Sequence, residues 1–354
     1  MMRRICLSLY LLFFIFLLST IEAEAGDFKH SGFLRVASGC RSDTVERYIH
    51  HKISTEALLH YIQAGIYERL DQLDKAALEY KAALKADYSS PQIHLRLAVV
   101  LLKQKKLSSA ADELKLAIKY YETSLSSQKT PLIEAHTLLA LVYSLQGKLE
   151  EATDEYEAAL RGAISIDPQN IRIHKSLAQV YLRGNRLSDA QKTYNFILNL
   201  APYDFESHFF LGTIYEEQGK RYEAIEKFKD ALKFNPEYPD ALNSLGYLYA
   251  EESINLEEAE ELLKKALTYE PNNGAYIDSL GWIHFKQGRV KEAIQELEQA
   301  VGVLSDPVIY GHLGDAYFKQ GNLIKARENW QKALEIDSEA EGNLGIKEKL
   351  ERYK

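Results

Sequence analysis

Eight alanines recur along the chain at a nearly constant interval, and this regularity constrains the fold more than any other feature. The successive spacings are 34, 42, 38, 34, 35, 34 and 33 residues. A period of about 20–50 residues is typical of stacked supersecondary units that bury their apolar faces against their neighbours. The recurring residues are Ala76, Ala110, Ala152, Ala190, Ala224, Ala259, Ala293 and Ala326.

The stretch 205–238 shows what is repeated. Apolar residues recur every three to four positions before Gly219 and again after it, which predicts two amphipathic helices. Gly219 lies where a helix C-terminus takes a left-handed residue, and Gly147, Gly288 and Gly321 hold the same place. Each unit is therefore predicted to be a helix, a tight turn and an antiparallel helix. Small residues on the first helix allow close packing, and they are Ala64, Ala98, Ala140, Ala178, Gly212, Gly246, Gly281 and Gly314.

Aromatic rings stand beside the small residues on both helices of most units. On the first helix they are Tyr67, Tyr143, Tyr181, Tyr215, Tyr249 and Tyr317, and on the second Tyr80, Tyr156, Tyr194, Phe228 and Trp330. This pattern of small residue, aromatic ring, small residue and proline resembles the tetratricopeptide repeat. The resemblance implies an all-α fold, a right-handed superhelical solenoid of about eight helix-turn-helix units with a C-terminal capping helix.

The resemblance covers roughly residues 57–338, and a charged tail at 339–354 is expected to form the capping helix. An insertion around 124–131 is expected to be a polar loop between helices. The first two units lack the turn glycine, so their limits are less well defined. The expected units are 57–90, 91–132, 133–170, 171–204, 205–238, 239–273, 274–306 and 307–338.

The N-terminus has the features of a secretory signal peptide. Arg3 and Arg4 precede an apolar run at 5–18, and Ala23-Glu24-Ala25 follows as a small-x-small cleavage site. The expected signal peptide is 1–25, cleaved after Ala25, with a pre-repeat segment at 26–56. The mature protein would be periplasmic or secreted. If the signal were kept as an anchor in the inner membrane, the paired arginines would still place the repeats outside the cytoplasm.

Charge and motif content exclude several functions. The formal net charge is −8 and no cluster of Lys and Arg is present, whereas nucleic-acid binders usually carry a basic patch. No phosphate-binding glycine loop, nucleophile elbow or zinc-protease motif occurs. Outside the repeats, neither 26–56 nor 339–354 is long enough to build an active site. We therefore expect no catalytic activity, no cofactor and no metal.

A histidine occupies the same first-helix position in five successive units, which could suggest a metal site. Equivalent positions of stacked helices lie about 8–10 Å apart or more, too far for one ion bound at about 2 Å to bridge them. We expect a packing role instead for His60, His94, His136, His174 and His208.

First helices line the concave groove in the family that this pattern resembles, and aromatic residues flanked by charges are typical anchors there. Trp282 is expected to be such an anchor, with its ring facing solvent; contact with an adjacent first helix is the alternative. Trp330 is expected in the core. Carrying over the groove positions gives Asn243, Tyr247, Asp278, Trp282, Phe285, Lys286, Asp315, Phe318 and Lys319.

These features favour a non-enzymatic scaffold of the cell envelope that binds a peptide or partner protein in the groove. The resemblance to exported bacterial repeat proteins implies assembly or export of a surface structure. A carbohydrate-polymer binding module, with aromatic rings stacked on sugars, is one alternative. A regulatory subunit of an envelope enzyme complex is another. A membrane contact is expected only if the signal segment is retained.

Overall fold

The structure is a computed structural model that describes residues 54–123, 129–337 and 343–353. Within these ranges the chain forms 17 helices and no strand. The predicted signal peptide and most of the pre-repeat segment lie outside the described residues. The helices are α1 Thr55–Arg69, α2 Leu73–Ala86, α3 Pro91–Lys103, α4 Leu107–Thr123, α5 Lys129–Leu145, α6 Leu149–Ile164, α7 Ile171–Arg183, α8 Leu187–Leu200, α9 Phe205–Glu217, α10 Arg221–Phe234, α11 Pro239–Glu251, α12 Leu256–Tyr269, α13 Gly274–Lys286, α14 Val290–Val303, α15 Pro307–Gln320, α16 Leu323–Ile336 and α17 Asn343–Arg352.

Every helix pair has a residue in the left-handed conformation in its turn, and the turn between α11 and α12 has a second one, Asn255. The four predicted turn glycines take this role, with φ of 75° at Gly147, 72° at Gly219, 81° at Gly288 and 91° at Gly321. In the other four pairs an ordinary residue adopts the same backbone, at a cost of about 1–2 kcal/mol. These residues are Asp71, Lys105, Asn185 and Ser253, with φ between 54° and 59°.

Small residues let the two helices of a pair approach closely. All eight recurring alanines are fully buried. A Cβ added to Gly246 would lie 2.2 Å from Leu263 Cδ2, and one added to Gly314 would lie 2.3 Å from Trp330 Cδ1. A larger side chain at either glycine would therefore force the helices apart. The prediction that small residues set the pairing is confirmed.

The loop formed by the insertion before the third repeat is shorter than the sequence predicts. Helix α4 and helix α5 each have 17 residues, against 13 to 15 in most others, and α5 begins at Lys129. Part of the predicted loop at 124–131 is therefore helical, and residues 124–128 lie outside the described residues. Because most of the extra residues extend regular helices, their backbone groups are satisfied within those helices.

The described residues divide into two compact units, one that ends at Gly162 and one that begins at Ala163. In the first, the described core is formed by α1–α6 and includes Leu97, Leu114 and Leu139. In the second, the helices from α9 onward carry two neighbouring clusters of buried side chains. Each unit therefore has an apolar core of its own, built from successive helix pairs.

Helix α17 covers the last helix pair. Ile346 is 6% exposed and packs beside Gly311, while the Tyr353 ring lies 4.6 Å from that of Phe318. Arg327 donates a hydrogen bond to the Tyr353 carbonyl oxygen at 2.6 Å. The predicted fold class, an all-α array of helical repeats with a C-terminal capping helix, is confirmed.

Candidate functional site

The predicted groove residues lie on the first helices of three repeats, all within the compact unit that begins at Ala163. Asn243 and Tyr247 are on α11, four residues from Asp278 to Lys286 are on α13, and Asp315, Phe318 and Lys319 are on α15. Helix α11 contacts α13, and α13 contacts α15. The structure therefore brings the predicted residues onto consecutive, adjoining helices.

The expectation that the Trp282 ring faces solvent is wrong. This side chain is only 9% exposed. Its ring stacks against Phe285, with centroids 4.8 Å apart, and against His312 on the next first helix, at 4.0 Å. Its indole N–H donates to Glu251 Oε1 at 2.6 Å. Trp282 therefore joins α11, α13 and α15, because its large ring fills the space between successive first helices.

Asp278 and His312 form a buried pair beside this tryptophan. His312 Nδ1 lies 2.9 Å from Asp278 Oδ1, and Asp278 is 6% exposed. Burial opposes a charge on the imidazole, but the carboxylates of Asp278, Asp315 and Glu251 outweigh it and raise the pKa of His312. Asp278 therefore pairs within the array instead of facing a partner.

Asp315 belongs to the C-terminal cap. Its carboxylate accepts the Trp330 indole N–H at 3.0 Å and a hydrogen bond from Lys349 Nζ at 2.6 Å. Trp330 itself is fully buried, which confirms its predicted core position. The groove position that the sequence pattern assigns to Asp315 is thus used to hold α17 in place.

The remaining predicted residues keep accessible surface. Phe318 is 38% exposed. The ammonium of Lys319 lies 4.6 Å from the Phe285 ring centroid, and that of Lys286 lies 5.0 Å from the Trp282 centroid. Both cations therefore cover aromatic rings while their charges stay at the surface.

Asn243 and Tyr247 stand in an acidic part of this surface. The side-chain oxygen of Asn243 is buried and accepts no hydrogen bond from the described residues. Burial, followed by the carboxylates of Glu251, Asp278 and Glu216, raises the pKa of Tyr247. Burial, followed by Glu217, also raises the pKa of Glu216. Three carboxylates therefore act on the hydroxyl of one tyrosine.

Sequence reasoning missed Glu216 and Glu251, although a signal was present. Glu251 is equivalent to Lys286 of the next repeat. Glu216 is equivalent to Phe285, two repeats later. Applying the same positional rule to the fifth and sixth units would have found both. Both residues carry carboxylates. The centre of the site is therefore negatively charged, whereas the predicted residues carried charges of both signs.

Hydrogen bonds between neighbouring units recur along the same surface. The Tyr276 hydroxyl donates to Asp240 at 2.7 Å. Lys175 Nζ lies 2.6 Å from Asp204 and 2.5 Å from Glu206. Together with the Trp282, His312 and Lys349 contacts, these bonds show that the inner positions also tie adjacent repeats together.

Three of the five histidines at the repeated position are buried as predicted, whereas His60 and His136 are partly exposed and pair with Glu79 and Glu155. His94, His174 and His208 are buried, and each donates its Nε2 hydrogen to a carbonyl oxygen six residues earlier, in the link before its helix. The acceptors are Tyr88, Pro168 and Pro202, at 2.7, 2.9 and 2.9 Å. The ring thus anchors the link between units.

Among the described residues, no group of three or more His, Cys, Asp or Glu side chains is placed to hold a metal ion. None of the described helices combines the length and the apolar character that a membrane span requires.

Comparison with known families identifies the repeated unit. Family models described as tetratricopeptide repeat or TPR repeat match most of the array, and the matched residues are 61–124, 145–206, 212–252, 251–310 and 307–340.

Two solved structures and one curated relative are similar to parts of this chain. A tetratricopeptide repeat protein from Parabacteroides merdae ATCC 43184 is 21% identical with a TM-score of 0.55, covering 74% of this chain and 98% of that one. A thermophilic TPR protein of Thermus thermophilus is 21% identical with a TM-score of 0.44, covering 52% and 98%. Response regulator aspartate phosphatase E of Bacillus subtilis (strain 168) is 28% identical over 182 residues, and the match spans 48% of each chain. This chain therefore spans about half the length of that relative.

Proposed function

This chain belongs to the tetratricopeptide repeat family, whose repeats form protein-interaction scaffolds, and we propose that it is a non-enzymatic scaffold binding a peptide or partner helix along its first helices. The surface around Asn243 and Tyr247 is the centre of the proposed site. Stacked repeats offer extended concave surfaces of this kind, since each first helix adds one strip to the same side.

The oxygen of Asn243, which has no hydrogen-bond partner among the described residues, is the observation that carries the proposal. A buried acceptor without a partner costs about 1–3 kcal/mol. A side-chain amide can both accept and donate hydrogen bonds, so it suits a peptide backbone, which offers one N–H and one C=O per residue. Asn243 and Tyr247 lie four residues apart on α11 and so share one face of that helix. This face therefore offers a buried polar atom and an aromatic side chain, a combination suited to an extended peptide.

The charge of the site favours a basic partner. Glu216, Glu251 and Asp278 all act on Tyr247, and Arg221 opposes them. Arg221 pairs with a fourth carboxylate, Glu252, and Asp278 pairs with His312, so carboxylates outnumber cations around this tyrosine. Opposite charge across an interface aids encounter and selects partners. We therefore propose a segment that carries lysine or arginine beside an apolar residue.

The carbohydrate alternative loses its main support in the structure. Trp282, the largest aromatic side chain of the predicted site, is already stacked on Phe285 and His312 and is 9% exposed. Sugar rings need an accessible aromatic face. Phe318 is the one ring among the predicted site residues that is more than a third exposed, and one such ring is a poor platform for a polymer.

The place of action is proposed to be the cell envelope, with a part in the assembly or export of a surface structure. The support is the order of Arg3-Arg4, the apolar run and Ala23-Glu24-Ala25. N-terminal sequencing of the protein from its native host tests this, and we expect the mature chain to start at Gly26. A chain that starts at Met1 and stays in the cytoplasm would contradict it.

An array of peptides, probed with the purified chain, tests the site. We expect preferential binding of peptides that combine basic and apolar residues, and we expect Tyr247→Ala to weaken it by about 2 kcal/mol, the scale of a hot-spot residue. Tyr222→Ala is the matched control, because Tyr222 lies on the second helix α10 and is 71% exposed. Equal binding by both variants, or equal loss in both, would contradict the proposed site.

A further inference from the structure

Helix α1 carries an apolar face that no described residue covers. Leu59 is 63% exposed, Ile62 52%, Ile66 53% and Leu70 60%. The spacing of three to four residues places these side chains in one stripe along the helix. The opposite side of α1 holds Ala57, which is fully buried. The helix is thus packed on one side and open on the other.

The later units show what this face normally does. The residue equivalent to Ile66 is at most 7% exposed in every later unit, and the list is Val100, Val142, Val180, Ile214, Leu248, Ile283 and Ala316. Six residues equivalent to Leu59 are at most 3% exposed, namely Ile93, Ala135, Ser207, Ala241, Tyr276 and Ile309. The face of α1 is therefore one that the array buries elsewhere.

The segment just before α1 has a sequence suited to covering this face. Val45, Ile49 and Ile53 are spaced four residues apart, with Tyr48 beside them. Asp43 and Glu46 lie at the start of the run, three residues apart, which is the spacing of a capping box. The capping helix α17 has the same kind of stripe, in which Ile346, Leu350 and Tyr353 pack on the last helix pair. We propose that residues 43–53, which lie outside the described residues, pack against the apolar face of α1 and cap the array.

Chain connection favours this segment over a second copy of the protein. Ile53 is joined directly to Ser54, the residue that caps α1, so the segment is always close to the face. A short tether gives an effective concentration of about millimolar, above that of free chains in most solutions. Four residues link α2 to α3 and α10 to α11, so 51–54 suffice to reverse the chain. In this arrangement Val45, Tyr48 and Ile49 are the residues that would pack on α1, and Ile53 would belong to the link.

Disulfide trapping in the full chain tests the proposal. In a background with Cys6 and Cys40 replaced by serine, Ile49→Cys is combined with Ile62→Cys and the protein is oxidised mildly. A disulfide needs Cα atoms within about 7 Å. We expect most of the protein to form an intramolecular bond, visible as a faster-migrating monomer. The control combines Arg47→Cys with Ile62→Cys, because Arg47 lies opposite Ile49 on a helix, and we expect little bond formation there.

Two other results would overturn the proposal. Cross-linking between molecules would mean that a second copy covers α1. Absence of any bond in the Ile49 pair, or equal yields in both pairs, would mean that the segment does not lie on this face. Hydrogen exchange gives a second readout on the uncross-linked chain: we expect Ile49→Asp to speed exchange of the α1 amides at least tenfold and Arg47→Asp to leave it unchanged. Unchanged exchange in Ile49→Asp would also overturn it.

Discussion

The two ends of the array differ in how their apolar faces are covered. At the C-terminal end, α17 buries Ile346 to 6% exposure and binds Asp315 through Lys349. At the N-terminal end, the described residues leave Leu59 and Ile66 more than half exposed. Internal repeats bury each other, so only the terminal ones need a special solution. The comparison shows that the repeats alone leave an apolar face uncovered at each end of the array.

The largest effect is expected at the covered end. Trp330→Ala should lower the free energy of unfolding by about 3–5 kcal/mol, because the fully buried ring would leave a cavity beside Gly314. The loss should spread into α13 and α14, since stacked units share stability. Denaturant unfolding followed by hydrogen exchange measures both. Because Trp282 is also buried, Trp282→Ala should destabilise the array too, and a negligible change there would contradict the packing described above.

Matched isoleucines sharpen the comparison between the ends. Ile346→Ala should cost about 2 kcal/mol, since a buried isoleucine is truncated. If residues 43–53 cover α1, Ile66→Ala should cost about as much. If the face is open, the substitution should cost about 0.5 kcal/mol or less, as expected for a half-exposed side chain. Urea titrations of the two variants, compared with the unsubstituted chain, separate these outcomes.

Two glycines should respond with opposite signs. A Cβ added to Gly65 in α1 meets no atom within 4 Å among the described residues. Gly65→Ala should therefore stabilise the chain by about 0.5–1 kcal/mol through helix propensity. Gly314→Ala should destabilise it by about 1–3 kcal/mol, because its Cβ would lie 2.3 Å from the Trp330 ring. Thermal melting of the two variants gives the signs, and a stabilising Gly314→Ala would refute the close approach.

The smallest effects concern pH and two histidines of α13 and α15. Burial and then Arg289 lower the pKa of His284, against the opposing charges of Glu260 and Glu296. Its stabilising contribution is present above the unfolded pKa of about 6.5 and is lost as pH falls. His312 has a raised pKa, so its contribution is present below about 6.5 and is lost as pH rises through the folded value.

Each histidine can be tested separately by measuring stability between about pH 5 and 8. His284→Tyr, which installs the residue that most other units hold, should remove the loss on the acidic side. His312→Gln should remove the loss on the alkaline side. Curves that keep the shape of the unsubstituted protein would show that other groups set the pH dependence.

Much of the fold could be predicted because its determinants are local. The alternation of apolar and polar residues within each helix predicts amphipathic pairs, and Ala76 or Gly314 predict close crossings from their size alone. Turn glycines predicted four of the eight turns, but Asp71 and Lys105 carry no such signal. There the packing of the two helices holds an ordinary residue at φ of 55° and 59°, which no local preference would select.

The candidate site shows where tertiary structure decided the outcome. Sequence by itself determined which helices carry Trp282, Asp278 and Asp315, because position within the repeat follows from the period. Whether those side chains stay free depends on Glu251, His312 and Lys349, which lie about one repeat away in the chain and reach them only when units stack. Whether a side chain is buried depends on its neighbours. The repeat period therefore predicts which helix carries these residues, but only the packed structure shows that they contact other residues of the array.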